Sequence, residues 1–287
     1  METDIKKLSD RLSKLSQAKF TKPAEISEWP ATLSDEWWFF SPEMISIAGT
    51  ETFAQLSPAA QRRLSFCELI NFFSLNIHGE SSMMAGIAQR LYARKHADIS
   101  AYLHHFLDEE NKHSHYFGNF CLKYAGQVYP ERKLVFPRQY APGEEDFLFF
   151  AKIVIFEEIV DHYNVLMGHD DRLHPLVASI HRMHHSDESR HLAFGRSLTA
   201  ALFARYCETW SAETLANVRA YLANYLIATF REYHSFDAYQ DAQLPQPLAL
   251  VQSSFDCAAS AARRRVAAKR CVGYLLKNGI LTEDPLS

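Results

Sequence analysis

Apolar residues recur every three or four positions along most of the chain, the spacing that gives a helix one buried face. A first amphipathic stretch runs from Asp4 to Lys19. An irregular segment follows, with Pro23, Pro30 and the run Trp37-Trp38-Phe39-Phe40-Ser41-Pro42. That aromatic cluster reads as a strap packed over a bundle, or as plain core filling. From Pro58 the helical spacing continues to about residue 94, with Ser57 placed as an N-cap and Gly79 and Gly86 the only glycines. A second long helix starts at Asp98 or Ser100 and ends near Tyr124. A proline-containing loop, 128–143, leads to a third over 144–167, which Gly168-His169-Asp170-Asp171 breaks. Pro175 opens a fourth to about Tyr206, and Ser211 caps a fifth to about Tyr233. Pro245 and Pro247 precede a last helical stretch, 248–278. No series of segments alternates with the strand period of two. The pattern predicts one all-α domain over 1–287, with a four-helix core at about 59–206 and additional N- and C-terminal helices.

Two of these helices carry Glu-x-x-His: Glu110 with His113, and Glu188 with His191. Residues three and four apart share a helix face, so each motif aims a carboxylate and an imidazole at one point. His184 lies one turn before Glu188. Two such motifs, each joined by a Glu from another helix, make the carboxylate-bridged di-iron or di-manganese site of a ferritin-like bundle. Level matching selects the partners. Glu80 lies about as far before the first interhelical turn as Glu110 lies after it, whereas Glu68 is roughly 20 Å further along the bundle. Glu157 and Glu158 both match Glu188 in level but differ by about 100° in direction. The charges of Lys152 and Glu145 mark a solvent face that favours Glu158 as the inward residue.

The flanks of both motifs are apolar: Leu103, Phe106 and Phe117 about the first, Ile180, Leu192 and Phe194 about the second. Charged groups on such faces need partners or metals. Four Glu and two His leave two divalent ions near neutral, with positions open to oxygen; His184 would add a seventh donor and enrich one ion. Glu109 and Asp187, each preceding a Glu of the motifs, are placed to accept a proton from an imidazole across the bundle, and Arg190 to pair with one of them. His181 shares a side with His184 and is a candidate outer residue. The remaining histidines read as exposed or hydrogen-bonded.

Composition narrows the class. The net charge of −4 argues against a nucleic-acid binder, and the run Arg263-Arg264-Arg265 reads as the solvated face of a terminal helix. No apolar run is long enough to span a bilayer, so no membrane partner is expected. The charged N-terminus lacks a signal sequence, which predicts a cytoplasmic protein. Five scattered cysteines suggest neither a disulfide framework nor a zinc ribbon. No flavin, nicotinamide or phosphate-binding pattern is present.

At His184-x-x-x-Glu188-x-x-His191 the chain resembles the di-iron N-oxygenases typified by p-aminobenzoate N-oxygenase. The form Asp187 to His191 also resembles the wider monooxygenase and ribonucleotide reductase superfamily, from which the extra histidine separates it. The resemblance covers roughly 60–210 in organisation and is specific in the motifs. It implies as metal ligands Glu80, Glu110, His113, one of Glu157 or Glu158, His184, Glu188 and His191; family spacing favours Glu157. It implies two Fe ions, with Mn as an alternative. The reduced pair would bind O2 as a peroxo-di-iron(III) species that oxidises a small-molecule amine to a hydroxylamine, and onward to nitroso or nitro, in specialised metabolism. Electrons would come from an external reductase or ferredoxin, and a homodimer is compatible with this reading. Two alternatives stay open: a carbon hydroxylase or desaturase of the same fold, and a ferritin-type metal-binding protein. The long N-terminal segment and extra C-terminal helices argue against the latter.

Overall fold

A computed structural model describes residues 2–22, 29–131 and 139–287. Pro23 and the middle of the 128–143 loop lie outside them. Ten α-helices are present among the described residues: α1 (Glu2–Lys19), α2 (Glu51–Gln55), α3 (Pro58–Ala88), α4 (Ser100–Phe120), α5 (Glu144–Gly168), α6 (Pro175–Tyr206), α7 (Ala212–Arg231), α8 (Phe236–Asp241), α9 (Pro247–Asp256) and α10 (Ala258–Lys277). The described residues contain no strand; a single isolated bridge joins Trp38 and Leu173. No described helix is long and apolar enough to cross a membrane.

The caps stand where the sequence places them. Ser57 Oγ accepts from the Ala60 amide and Ser211 Oγ from Thr214. Pro58 and Pro175 occupy first-turn positions, where the missing N–H costs nothing. Three elements differ from expectation, among them the five-residue α2, which Thr50 caps and which is too short to show a period. The last helical stretch is two helices, because Cys257 is extended and its Sγ accepts the Ser260 amide as an N-cap. A cysteine carries no breaker signal in sequence. The short α8 also goes unread; Ser235 caps it, but six residues are too few for a visible period.

Helices α3 to α6 form the central bundle, paired closely as α3 with α4 and α5 with α6. Helix α1 lies across α4 and α6, and α7 and α10 cover α5. The aromatic segment is both strap and filling. Trp38 accepts from the His174 amide and donates to the Arg172 carbonyl, pinning the segment to the α5–α6 turn. Phe39 and Phe40 are buried, and Phe40 packs against Phe72 and Tyr163. Arg263 and Arg264 are not a solvated face. Arg263 donates to the carbonyls of Ala48 (2.6 Å) and Ser46 (2.6 Å), and Arg264 to that of Phe255 (2.7 Å), tying α10 to the segment before α3 and to α9.

The glycines of α3 bring it against α5. A Cβ on Gly79 would lie 2.5 Å from the Phe156 ring, and one on Gly86 2.1 Å from the Phe149 ring. Both pairs are seven residues apart and run in opposite directions, so two rings fill two notches on one antiparallel seam. The seam sets Glu80, next to Gly79, level with Glu157, next to Phe156. Glu68 sits just over three turns away and makes a different contact. Its buried carboxyl accepts from the Ser46 amide (2.9 Å) and from the Ser46 hydroxyl.

Gly79→Ala is expected to lower stability by about 1–3 kcal/mol through overpacking, read by chemical denaturation, and to shift Glu80 relative to Glu157. Glu68 generates a pH dependence. Burial pushes its carboxyl up to about 7 from an ordinary 4.5, against the lowering effect of Ser46. Between those values the unfolded chain gives up a proton that the folded chain keeps, so stability falls as pH rises. Above them the cost is constant at about 3 kcal/mol. Glu68→Gln keeps an acceptor for Ser46 and is expected to flatten this slope in urea titrations run across that pH window.

Candidate metal centre

The four central helices each bring carboxylates or imidazoles to one buried point. Helix α3 supplies Glu80, α4 Glu110 and His113, α5 Glu157, and α6 His184, Glu188 and His191; all are 2 % exposed or less. Three overlapping groups have ligand atoms within 4.8 Å of one another: Glu80, His113 and His184; Glu110, His113 and Glu188; Glu110, Glu157 and His191. The cluster therefore has two ends. At one, His184 Nε2 is 3.7 Å and His113 Nδ1 4.0 Å from Glu80 Oε1. At the other, His191 Nδ1 is 3.9 Å from Glu157 Oε1.

Glu188 and Glu110 span the ends. Glu188 Oε1 lies 2.8 Å from His184 Nε2 and 3.5 Å from His113 Nδ1, while its Oε2 lies 3.5 Å from His191 Nδ1. Glu110 Oε1 is 3.7 Å from His113 Nδ1 and 2.8 Å from His191 Nδ1. One end thus has two imidazoles and the other one. The asymmetry comes from His184, one turn before Glu188 on the same face.

Glu158 does not join them. It is buried, but its Oε1 accepts from the Arg196 guanidinium on the far side of α5, next to α10. The side of α5 that carries Lys152 is not a solvent face. Lys152 lies about 6.0 Å from the rings of Tyr221 and Tyr225, so α7 rather than solvent covers that side of α5. The 100° step between consecutive residues then turns Glu157 inward.

A test of fit to metal ions comes from the polar atoms left over. Glu80 Oε1, Glu110 Oε1, His113 Nδ1, Glu157 Oε1 and Oε2, Glu188 Oε2 and His191 Nδ1 are buried and make no hydrogen bond of good geometry. Orphaned polar atoms are rare in a protein interior, because each costs about 1–3 kcal/mol. Here they face one another around a common centre. Their electrostatics show the same frustration. Burial, reinforced by Glu110, holds the Glu80 carboxyl well above the usual range; burial and Glu188 do the same to Glu157. Burial opposes ionisation of Glu188 too, but His191 and His184 pull it below its ordinary value. Burial lowers the His113 pKa, yet the hydrogen bond to Asp187 and the charge of Glu110 raise it to about 10. Four carboxylates and neutral imidazoles are balanced by two divalent cations, so the donor set fits a metal pair.

The outer nitrogens are satisfied. His113 Nε2 donates to Asp187 Oδ2 (3.1 Å) and His191 Nε2 to Glu109 Oε2 (2.9 Å). These bonds place the protons on Nε2 and leave the Nδ1 lone pairs facing inward. Arg190 joins the two acids, donating to both Glu109 and Asp187, and its Nε donates to Ser16 Oγ of α1 (3.1 Å).

Three neighbours were not foreseen. Asn164 on α5 stands between His181 and His184: its Oδ1 accepts from His181 Nδ1 (2.8 Å), and its Nδ2 donates to His184 Nδ1 (2.8 Å). It is seven residues after Glu157, two turns along the same face, a signal that was available. Ser114 Oγ donates to Glu80 Oε2 (2.8 Å). Lys112, 4 % exposed, donates to Asp187 Oδ2 (2.5 Å). A lysine beside a ligand candidate gives no hint in sequence that it is buried.

Asp187→Asn should weaken metal affinity about 10–100-fold without unfolding the protein, measured by competition with a chromogenic chelator.

Comparison with known proteins gives the fold and the family. No curated protein matches the sequence. Among solved structures, an R2-like ligand-binding oxidase from Sulfolobus acidocaldarius matches at 16 % identity with a TM-score of 0.52, over 97 % of this chain and 92 % of that one. A valine-to-alanine variant of an R2-like ligand-binding oxidase, with an anaerobically reconstituted Mn/Fe cofactor, matches at 12 % identity and a TM-score of 0.49, over 93 % of each chain. The first likeness establishes the fold as a ferritin-like all-α bundle. The family described as P-aminobenzoate N-oxygenase AurF matches residues 2–278, nearly the whole chain. The chain belongs to the p-aminobenzoate N-oxygenase AurF family, an oxidase or oxygenase group on the ferritin-like fold.

Proposed function

We propose that the protein, acting as one unit over its whole length, is an O2-dependent N-oxygenase that converts the amine of a small molecule to a hydroxylamine. The observation that carries this reading is the third imidazole, His184, converging with Glu80 and His113 at one end of the cluster. The overall reaction joins R–NH2, O2, two electrons and two protons to give R–NHOH and water. One oxygen atom forms the new N–O bond and the other leaves as water. The ions are two iron ions, with manganese an alternative occupant suited to the same carboxylate and imidazole donors. When bound, such a pair supplies the two-electron redox chemistry that O2 activation needs.

The ligands in this proposal are Glu80, His113 and His184 for one ion and Glu157 and His191 for the other, with Glu110 and Glu188 between them. Glu109 and Asp187 hold the Nε2 protons, so the inward nitrogens stay free to donate. Arg190 holds both acids in place. Asn164 fixes the ring plane of His184; with its amide turned so that Oδ1 accepts from His184 Nδ1–H, the Nε2 lone pair of His184 is free to donate inward. The rings of Phe106, stacked 3.8 Å from His191, and Phe117, edge-on at 5.0 Å to His184, exclude water from the imidazoles. Water exclusion favours transfer of oxygen to substrate over unproductive discharge.

The test is metal content per chain, followed by optical spectra as the ferrous-loaded protein meets O2, and mass analysis of amine products made under labelled O2. About two irons per chain, an oxygen-dependent visible band and one labelled oxygen on nitrogen are the expected results. Label on carbon with nitrogen untouched would replace this reading by carbon hydroxylation. Glu188→Ala, which removes donors to both ends, should reduce bound iron to about one per chain or fewer. His184→Ala should keep the fold and most of the iron but change the band. Saturating ferrous iron should raise the melting temperature of the apoprotein, by about 3 kcal/mol in stability for a site filled at a hundred times its dissociation constant.

A further inference from the structure

His184 differs from the other two imidazoles of the centre in what lies behind it. His113 and His191 each face a carboxylate with Nε2, Asp187 and Glu109, and turn Nδ1 to the cluster. His184 is turned the other way. Its Nε2 lies 2.8 Å from Glu188 Oε1 and 3.7 Å from Glu80 Oε1, and its Nδ1 lies 2.8 Å from the Asn164 amide. The same amide lies 2.8 Å from Nδ1 of His181. Asn164 and His181 are fully buried, and His181 Nε2 has no hydrogen-bond partner. Phe72 and Phe73 pack on that ring, at 5.5 Å and 5.7 Å between centroids.

This row of three side chains has a property that a carboxylate in the middle would not give. A carboxylate only accepts, whereas an amide accepts at one atom and donates at the other. Burial lowers the pKa of both rings, that of His181 to about 3, so each is neutral and carries one N–H. Two arrangements then satisfy every bond. In the first, His181 Nδ1–H donates to Asn164 Oδ1, Asn164 Nδ2 donates to His184 Nδ1, and His184 Nε2–H donates to Glu188 Oε1. In the second, His184 Nδ1–H donates to Oδ1 of the turned amide, whose Nδ2 donates to His181 Nδ1, and the His181 proton sits on Nε2. Turning the amide exchanges two atoms of nearly equal size, so both arrangements fit the same space. A mixed arrangement does not, because one ring would then meet the amide with two N–H groups or two lone pairs opposed.

We propose that Asn164 and His181 form a two-state hydrogen-bond relay, in which His184 gives its Nε2 lone pair to a metal ion only when the Asn164 amide turns and the proton of His181 moves from Nδ1 to Nε2. The inference rests on the reading of His184 as a ligand. No proton is gained or lost. His184 loses the Nε2 proton and gains one on Nδ1, and His181 loses the Nδ1 proton and gains one on Nε2, with solvent water as the carrier. In the loaded arrangement the new N–H of His181 lies among phenyl rings, where a weak contact with a ring face stands in for an acceptor. The relay therefore favours the metal-free arrangement. It makes the third imidazole a weaker ligand than it would be with a carboxylate behind it. Asn164 and His181 are positioning residues that act through His184.

The experiment is nitrogen-15 NMR of the full chain labelled at its histidines, metal-free and loaded with zinc, a diamagnetic ion that takes the same donors. The His181 and His184 signals are identified by their loss in His181→Gln and His184→Gln. In the metal-free protein His181 should be protonated at Nδ1 and His184 at Nε2. After loading, His184 should be protonated at Nδ1 with its Nε2 shifted by zinc, and His181 should be protonated at Nε2. Asn164→Asp supplies a carboxylate that accepts from both rings. In that variant His181 should keep its proton on Nδ1 in both states, and zinc should bind about tenfold more tightly, measured by chelator competition. The wild-type comparison stands by itself if the variant fails to fold. A role limited to filling space would leave the His181 proton on the same nitrogen throughout. An unchanged His181 beside a zinc-shifted His184 Nε2 overturns the relay, as does a His181 protonated on both nitrogens. Failure of the ligand reading looks different: zinc bound with no shift at His184 Nε2, which overturns the ligand assignment and the relay together.

Discussion

Seven ionisable groups from four helices meet in an apolar interior, and everything else in the bundle answers to that fact. Four carboxylates cannot all be ionised a few ångströms apart in a medium of low polarity unless opposite charge lies among them. In the protein alone the imidazoles supply part of that charge, which leaves some carboxyls protonated and some ionised. The arrangement is poised for cations and costs stability without them. A fold carrying such a cost needs compensation elsewhere. It is found in the aromatic packing, with Phe72, Phe73, Phe106, Phe117 and Phe120 fully buried around the centre.

The support around the centre is graded. Closest in are lone pairs with no partner. Behind them stand Glu109 and Asp187, each holding one imidazole, and behind those Arg190, which holds both acids at once. Such a network transmits error, because displacing Arg190 loosens Glu109 and with it the His191 ring, while Lys112 still holds Asp187. It also explains why the glycine notches of α3 matter. Ångström-scale misplacement of α3 against α5 would separate Glu80 from Glu157 while leaving each helix intact.

Much of this was legible because helical geometry is regular. The i, i+3 and i, i+4 spacing of Glu110, His113, His184, Glu188 and His191 fixes a common face on two helices, and counting from the turns selects Glu80 over Glu68. The choice between Glu157 and Glu158 was not legible from charge. A lysine can lie along an aromatic surface as readily as in water, and Lys152 does so beside α7. The outer contacts were legible only where they follow the same periodicity. Asn164 does; the burial of Lys112 depends on how α1 crosses two other helices, which no local pattern encodes. The break at Cys257 escaped because cysteine carries no helix-end signal, and the short α8 because, although Ser235 caps it, six residues show no period.

The bond from Arg190 to Ser16 spans 174 positions of sequence. It places α1 among the last groups to dock. During synthesis α1 emerges long before the segment it must lie on, and the carboxylates of α3 and α4 are translated before the imidazoles that complete them. A half-made bundle therefore exposes acidic groups and aromatic surface together until α6 arrives. Contacts of such long range close slowly, since the loop entropy is spent before the contact forms. Chain order thus makes the metal pocket a late product of folding, assembled only once residues some 80 positions beyond Glu109 are in place.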